Sequence, residues 1–97
     1  MDVDIQTDQL NMCPEWQHMI HTWAERCRKL HPSVAGMDVT LRYGDSDHPG
    51  EVEAVATTSG RRLRAATRSG LVSVALHDAL DALEQELLVH EAVSRTP

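Results

Sequence analysis

A chain of 97 residues, 41% apolar and 25% charged, holds one globular domain spanning 1–97. Two Cys, 5 Gly and 4 Pro exclude a disulfide-dense or collagen-like scaffold, and no apolar run approaches the roughly 20 residues of a membrane span. The net charge of -6 sets long-range electrostatics against a nucleic acid partner unless the nine cations gather on one face. The start, MDVDIQTD, lacks the basic and apolar regions of a secretory leader, so the expectation is a cytoplasmic protein with no membrane partner.

Residues 2–6 alternate, Val3 and Ile5 against Asp2, Asp4 and Gln6, which predicts a half-buried strand. Cys13-Pro14-Glu15 then opens a helix, because Pro suits the first helical position and an acid suits the positive end of the dipole. Trp16, Ile20, Trp23, Cys27 and Leu30 form its apolar stripe, and His31-Pro32 ends it. Residues 37–43 alternate again, with Met37, Val39, Leu41 and Tyr43 inward, and GDSDHPG is a polar turn.

Residues 51–57 and 61–68 make a hairpin across Ser59-Gly60. Pairing Thr58 with Arg61 sets Ala56 against Leu63, Ala54 against Ala65 and Val52 against Thr67, all on one face. The other face pairs Thr57 with Arg62, Val55 with Arg64 and Glu51 with Arg68. A last helix, 71–93, buries Val72, Leu76, Ala79, Leu80, Leu83, Leu87 and His90 and wets Asp78, Asp81, Glu84 and Gln85. The order β-α-β-β-β-α predicts an α+β, two-layer fold with a four-stranded mixed sheet and both helices on one face.

That order, together with Val74-Ala75-Leu76-His77-Asp78-Ala79-Leu80-Asp81-Ala82-Leu83-Glu84-Gln85-Glu86-Leu87 and the strand Arg62-Leu63-Arg64-Ala65-Ala66, resembles the ribosome hibernation-promoting factors, or ribosome-associated translation inhibitors. The resemblance implies a fold similar to the double-stranded RNA-binding domain. It also implies a cytoplasmic stress regulator that binds the small ribosomal subunit through rRNA, occupies the mRNA and tRNA channel and silences translation. The chain departs from the family in carrying Gln85, Val89 and Glu91 where basic residues are common, and Leu71 where an acidic cap is usual.

Arg62, Arg64 and Arg68 share the open face of the last strand, with Arg42 on the matching face of the second and Arg61 at the turn. Arginine forks suit phosphate oxygens, so these residues are candidate RNA contacts. Cross-strand pairing with Glu51 and Glu53 accounts for the same residues, and both readings stand. Arg26, Arg28 and Lys29 end the first helix, where either the helix dipole or RNA explains them; Arg28 and Lys29 join the candidate contacts.

His18 and His21 lack an evident third ligand, and Cys27 faces the core, so no metal or other cofactor is expected. No nucleophile–base set, carboxylate pair or cofactor fingerprint appears. Hence no catalytic residue, small-molecule substrate or enzymatic activity is expected. Cys13 and Cys27 lie about 20 Å apart along the helix, beyond disulfide reach. Leu88 and Val89 fall off the buried stripe, marking either a protein contact, such as a homodimer seam, or a surface covered by 92–97. The second functional reading is therefore an interaction module that keeps the fold without ribosome binding.

Overall fold

A computed structural model describes residues 1–94, Ser94 as backbone only. The order is β1 (Asp2–Asp8), α1 (Pro14–Leu30), β2 (Val34–Tyr43), β3 (Gly50–Thr58), β4 (Arg61–Ser69) and α2 (Val72–Ser94). The sheet runs β1-β2-β3-β4, with β1 parallel to β2 and the other neighbours antiparallel. This is the expected two-layer α+β architecture. One core lies between the layers, joining Ile20, Trp23, Ala24 and Cys27 of α1 to Leu76, Ala79, Leu80, Leu83 and Leu87 of α2 over Val39, Leu41, Val52, Ala54 and Ala56.

Local chemistry sets the boundaries. Cys13 is the N-cap of α1, in extended conformation and without a side-chain capping bond, and Pro14 follows at the first helical position. Ser59 and Gly60 both have positive φ, 50° and 76°, the type I′ geometry that matches the twist of a hairpin. Gly50 is required by contact: a Cβ there would lie 2.8 Å from the Val72 backbone, where β3 passes under the start of α2. The Thr67 hydroxyl donates to the Ala75 carbonyl at 2.5 Å and ties β4 to α2. In the 44–49 turn, Asp45 Oδ1 accepts the backbone N–H of His48 at 2.7 Å and of Asp47 at 3.0 Å. Those bonds, His48's foremost, hold its carboxyl below the usual range.

The hairpin register is as the pairing argument requires, from Thr58 opposite Arg61 to Glu51 opposite Arg68. Several side chains differ from expectation. Strand β2 begins at Val34, because a bulge between Val34 and Gly36 places the buried Val34 and Met37 three residues apart and breaks the alternation. Tyr43 and Leu30 end their elements beyond the core and are 44% and 60% exposed rather than inward. Trp16 is only half-buried, one turn before the buried stripe begins. His31 ends α1 as its C-cap, as read from the sequence, and is in addition buried, with Nδ1 against Glu91 Oε1 near the end of α2.

Candidate nucleic-acid interface

The open face of the sheet is built by the outward half of each strand's alternation. Register places four rows across it: Asp2, Gly36, Thr57, Arg62; then Asp4, Asp38, Val55, Arg64; then Gln6, Thr40, Glu53, Ala66; then Asp8, Arg42, Glu51, Arg68. Charge is therefore graded. The β1 side is acidic, the β4 edge is basic, and two glutamates of β3 sit between. Val55 is buried on this face although it points away from the core; Glu53, Arg62 and Arg64 line the hollow above it. Arginine stems packing over an apolar side chain account for that cover.

Of the candidate contacts, Arg42, Arg62, Arg64 and Arg68 meet on this face. Three are held by neighbouring acids. Arg64 pairs with Glu53, while Arg42 and Arg68 approach Glu51 from either side, each at 3.7 Å. The Arg64 and Arg68 side chains are 67% and 60% exposed, so these pairs are hydrated and weak, roughly 0–1 kcal/mol each. Among the described residues Arg62 has no ion pair, nor do Asp2, Asp4, Asp8 and Asp38.

The structure does not gather the remaining cations with them. Arg61 has the strand parity of Leu63 and belongs to the helix side, at the rim near α2. Arg28 and Lys29 lie on α1, in the layer behind the sheet, and Arg28 pairs with Glu25 at 2.9 Å. Arg26 bridges to Glu84 of α2 at 2.7 Å.

A groove of about 300 Å³ separates the helices, lined by His18, Arg26, His77 and Asp81 above Trp23. The indole Nε1 of Trp23 is buried without a hydrogen-bond partner among the described residues. Among the described residues no three His, Cys, Asp or Glu side chains are grouped to hold a metal ion. Both cysteines are free thiols, and burial, with Glu84 and Glu91 adding to it, pushes the Cys27 thiol up to about 11. No described helix is long and apolar enough to cross a membrane.

Leu88 and Val89 are both exposed but belong to different surfaces. Leu88 lies beside Leu30 and Ala92, over the buried His31–Glu91 contact. Val89 lies with Val93 and Leu63 above the β4 edge. Ala92 and Val93 are themselves exposed; residues 95–97, the rest of the expected cover, lie outside the described residues. Sequence reasoning missed the Arg26–Glu84 and His31–Glu91 contacts, which join residues 58 and 60 positions apart and leave no local signal. It also placed Leu30 inward, although the following Pro marked the helix end.

No family model matches the chain, and no curated protein does. Solved structures do. A ribosomal subunit interface protein from Coxiella burnetii superposes with a TM-score of 0.83 at 13% identity, covering 95% of this chain and 99% of that one. The N-terminal domain of Protein Y from Thermus thermophilus gives 0.74 at 15% identity, covering 90% and 96%. At these identities the likeness is one of fold: the chain has the fold of a ribosomal subunit interface protein over nearly its whole length.

Proposed function

We propose that the chain is a ribosome-associated regulator that silences translation under stress by occupying the mRNA and tRNA channel of the small subunit. The observation that carries the reading is the end-to-end fold likeness to a ribosomal subunit interface protein. The resemblance of residues 74–87 to the hibernation-promoting factors supports it from the sequence side. On this reading the protein is cytoplasmic, a single domain over 1–97, and acts by occlusion rather than catalysis. Arg62, with no ion pair to break among the described residues, makes the first phosphate contact; Arg64, Arg68 and Arg42 follow by exchanging Glu53 and Glu51 for phosphate. Arg61, Arg28 and Lys29 contribute at the rim and from the helix layer.

Co-sedimentation with small subunits and with whole ribosomes at two salt concentrations tests this. Pelleting that falls steeply with salt supports phosphate contacts. No pelleting at low salt rejects the reading. The second reading, an interaction module without ribosome binding, is favoured by the glutamates that already engage three of the four open-face arginines and by the exposed Leu88 and Val89. It predicts a protein partner and no pelleting.

A further inference from the structure

From the two edges of the sheet we infer that the chain associates with a second copy of itself, β1 of one copy pairing in parallel with β4 of the next. β4 is antiparallel to β3, β3 to β2, and β2 is parallel to β1, so the two edge strands point the same way. A copy shifted along the sheet therefore presents β1 to β4 with parallel polarity. In the row alignment that the sheet itself defines, the open-face residues of β1 read Asp2, Asp4, Gln6, Asp8, and those of β4 read Arg62, Arg64, Ala66, Arg68. Three acids meet three arginines, and the one uncharged position of β1 meets the one uncharged position of β4. The same rows on the helix side set Val3 beside Leu63, Ile5 beside Ala65 and Thr7 beside Thr67. Val3, Ile5 and Leu63 are each only half-covered within a single copy. Val89 and Val93, exposed next to Leu63, flank the same seam.

The charges also exclude the symmetric alternatives. Two β4 edges laid together oppose arginines, and two β1 edges oppose aspartates; like charges directly across a ladder are destabilising. Only the unlike edges combine, and such a heterologous contact leaves a free β1 and a free β4 edge on every pair, so it continues beyond two copies, as an open array or, where its rotation closes, as a ring. Among the described residues the acids of β1 have no cation partner and Arg62 has no acid, so these groups give up no ion pair to form the seam, while Arg64 and Arg68 share theirs with Glu53 and Glu51. This inference goes beyond ribosome association and does not depend on it.

Sedimentation velocity of the untagged chain, across a concentration series and at two salt levels, is the test. The average mass should rise with concentration near 0.1 M salt and fall toward the monomer near 1 M, as the screening length shrinks from roughly 10 Å to roughly 3 Å. Changing Asp2, Asp4 and Asp8 together to Asn should weaken association by about tenfold or more, although it moves the net charge toward zero and would favour any other contact. A chain with Arg62→Asp, Arg64→Asp and Arg68→Asp, and one with Asp2→Arg, Asp4→Arg and Asp8→Arg, should each be monomeric alone and associate when mixed. If either charge-swapped chain fails to fold, the Asn variant decides. A parent that is monomeric throughout, association indifferent to salt, or an Asn variant that associates as well as the parent each overturns the inference. Ribosome pelleting by the Asn variant should be retained or improved, because its three acids are outside the phosphate set and their loss lowers the negative charge and frees the β4 arginines, so failure of one proposal is separable from failure of the other.

Discussion

Changing Glu51 and Glu53 together to Gln removes the acids that hold the open-face arginines. Three ion pairs are lost: Arg42–Glu51 and Arg68–Glu51 at 3.7 Å, and Arg64–Glu53. Exposed pairs contribute roughly 0.2–1 kcal/mol each, so the fold should lose at most about 3 kcal/mol. In a domain of this size, at roughly 4–8 °C per kcal/mol, that lowers the melting temperature by no more than about 12–24 °C. The same terms act with opposite sign on binding. Each arginine that contacts phosphate in the parent must first leave a glutamate, and the variant does not bear that cost. Recovering about 1–2 kcal/mol tightens ribosome association roughly 5- to 30-fold. Quantitative co-sedimentation, with thermal melts on the same preparations, measures both effects. An affinity no better than the parent's would refute the competition between glutamate and phosphate, and would assign the arginines to the surface alone.

Cys27 gives a prediction in alkali. Its folded thiol titrates near 11 against an ordinary 9.0, so the unfolded chain ionises first as pH rises. Stability present below pH 9 should fall by about 2–3 kcal/mol by pH 11 and be far less pH-dependent across that range in Cys27→Ala, as read by urea melts. Asp45 works the other way: its lowered carboxyl favours the folded chain above the ordinary carboxylate range and ceases to do so as pH falls through the folded value. Asp45→Asn should therefore flatten the acid limb of the melting curve. Gly50→Ala drives a Cβ to 2.8 Å from the Val72 backbone and should cost about 2 kcal/mol or more, where an ordinary surface change stays within about 0.5. Glu91→Ala leaves the buried His31 without its partner; a loss of about 1–3 kcal/mol, with faster amide exchange in the last turns of α2, is expected.

The sheet was legible in the sequence wherever strict alternation met a turn signal. Ala54, Ala56, Leu63 and Ala65 fix the hairpin register, since any one-residue slip would expose them all. Alternation failed where the backbone departs from it, at the bulge that hides Val34. Periodicity also carried Tyr43 and Leu30 past the ends of the layers that cover their neighbours. Of the candidate site, the shared face of Arg42, Arg62, Arg64 and Arg68 followed from parity alone, and so did the nearness of Glu51 and Glu53. Parity also puts Arg61 on the other side of the strand, which its place at the turn obscured. The buried His31–Glu91 contact was not legible, because it depends on how two helix ends meet.

The central claim is that the arginines of β4 bind rRNA phosphate. The slope of log affinity against log salt for ribosome association, compared between the parent and the Arg62→Gln, Arg64→Gln, Arg68→Gln variant, tests it most directly. Each lost phosphate contact removes roughly 0.7 from the slope on single-stranded RNA, so the variant should bind weakly and with a slope shallower by about 2. The substitutions lie on the open face away from the core, and the melting temperature should stay near the parent's. A variant that pellets as well as the parent, with the same salt slope, would contradict the claim.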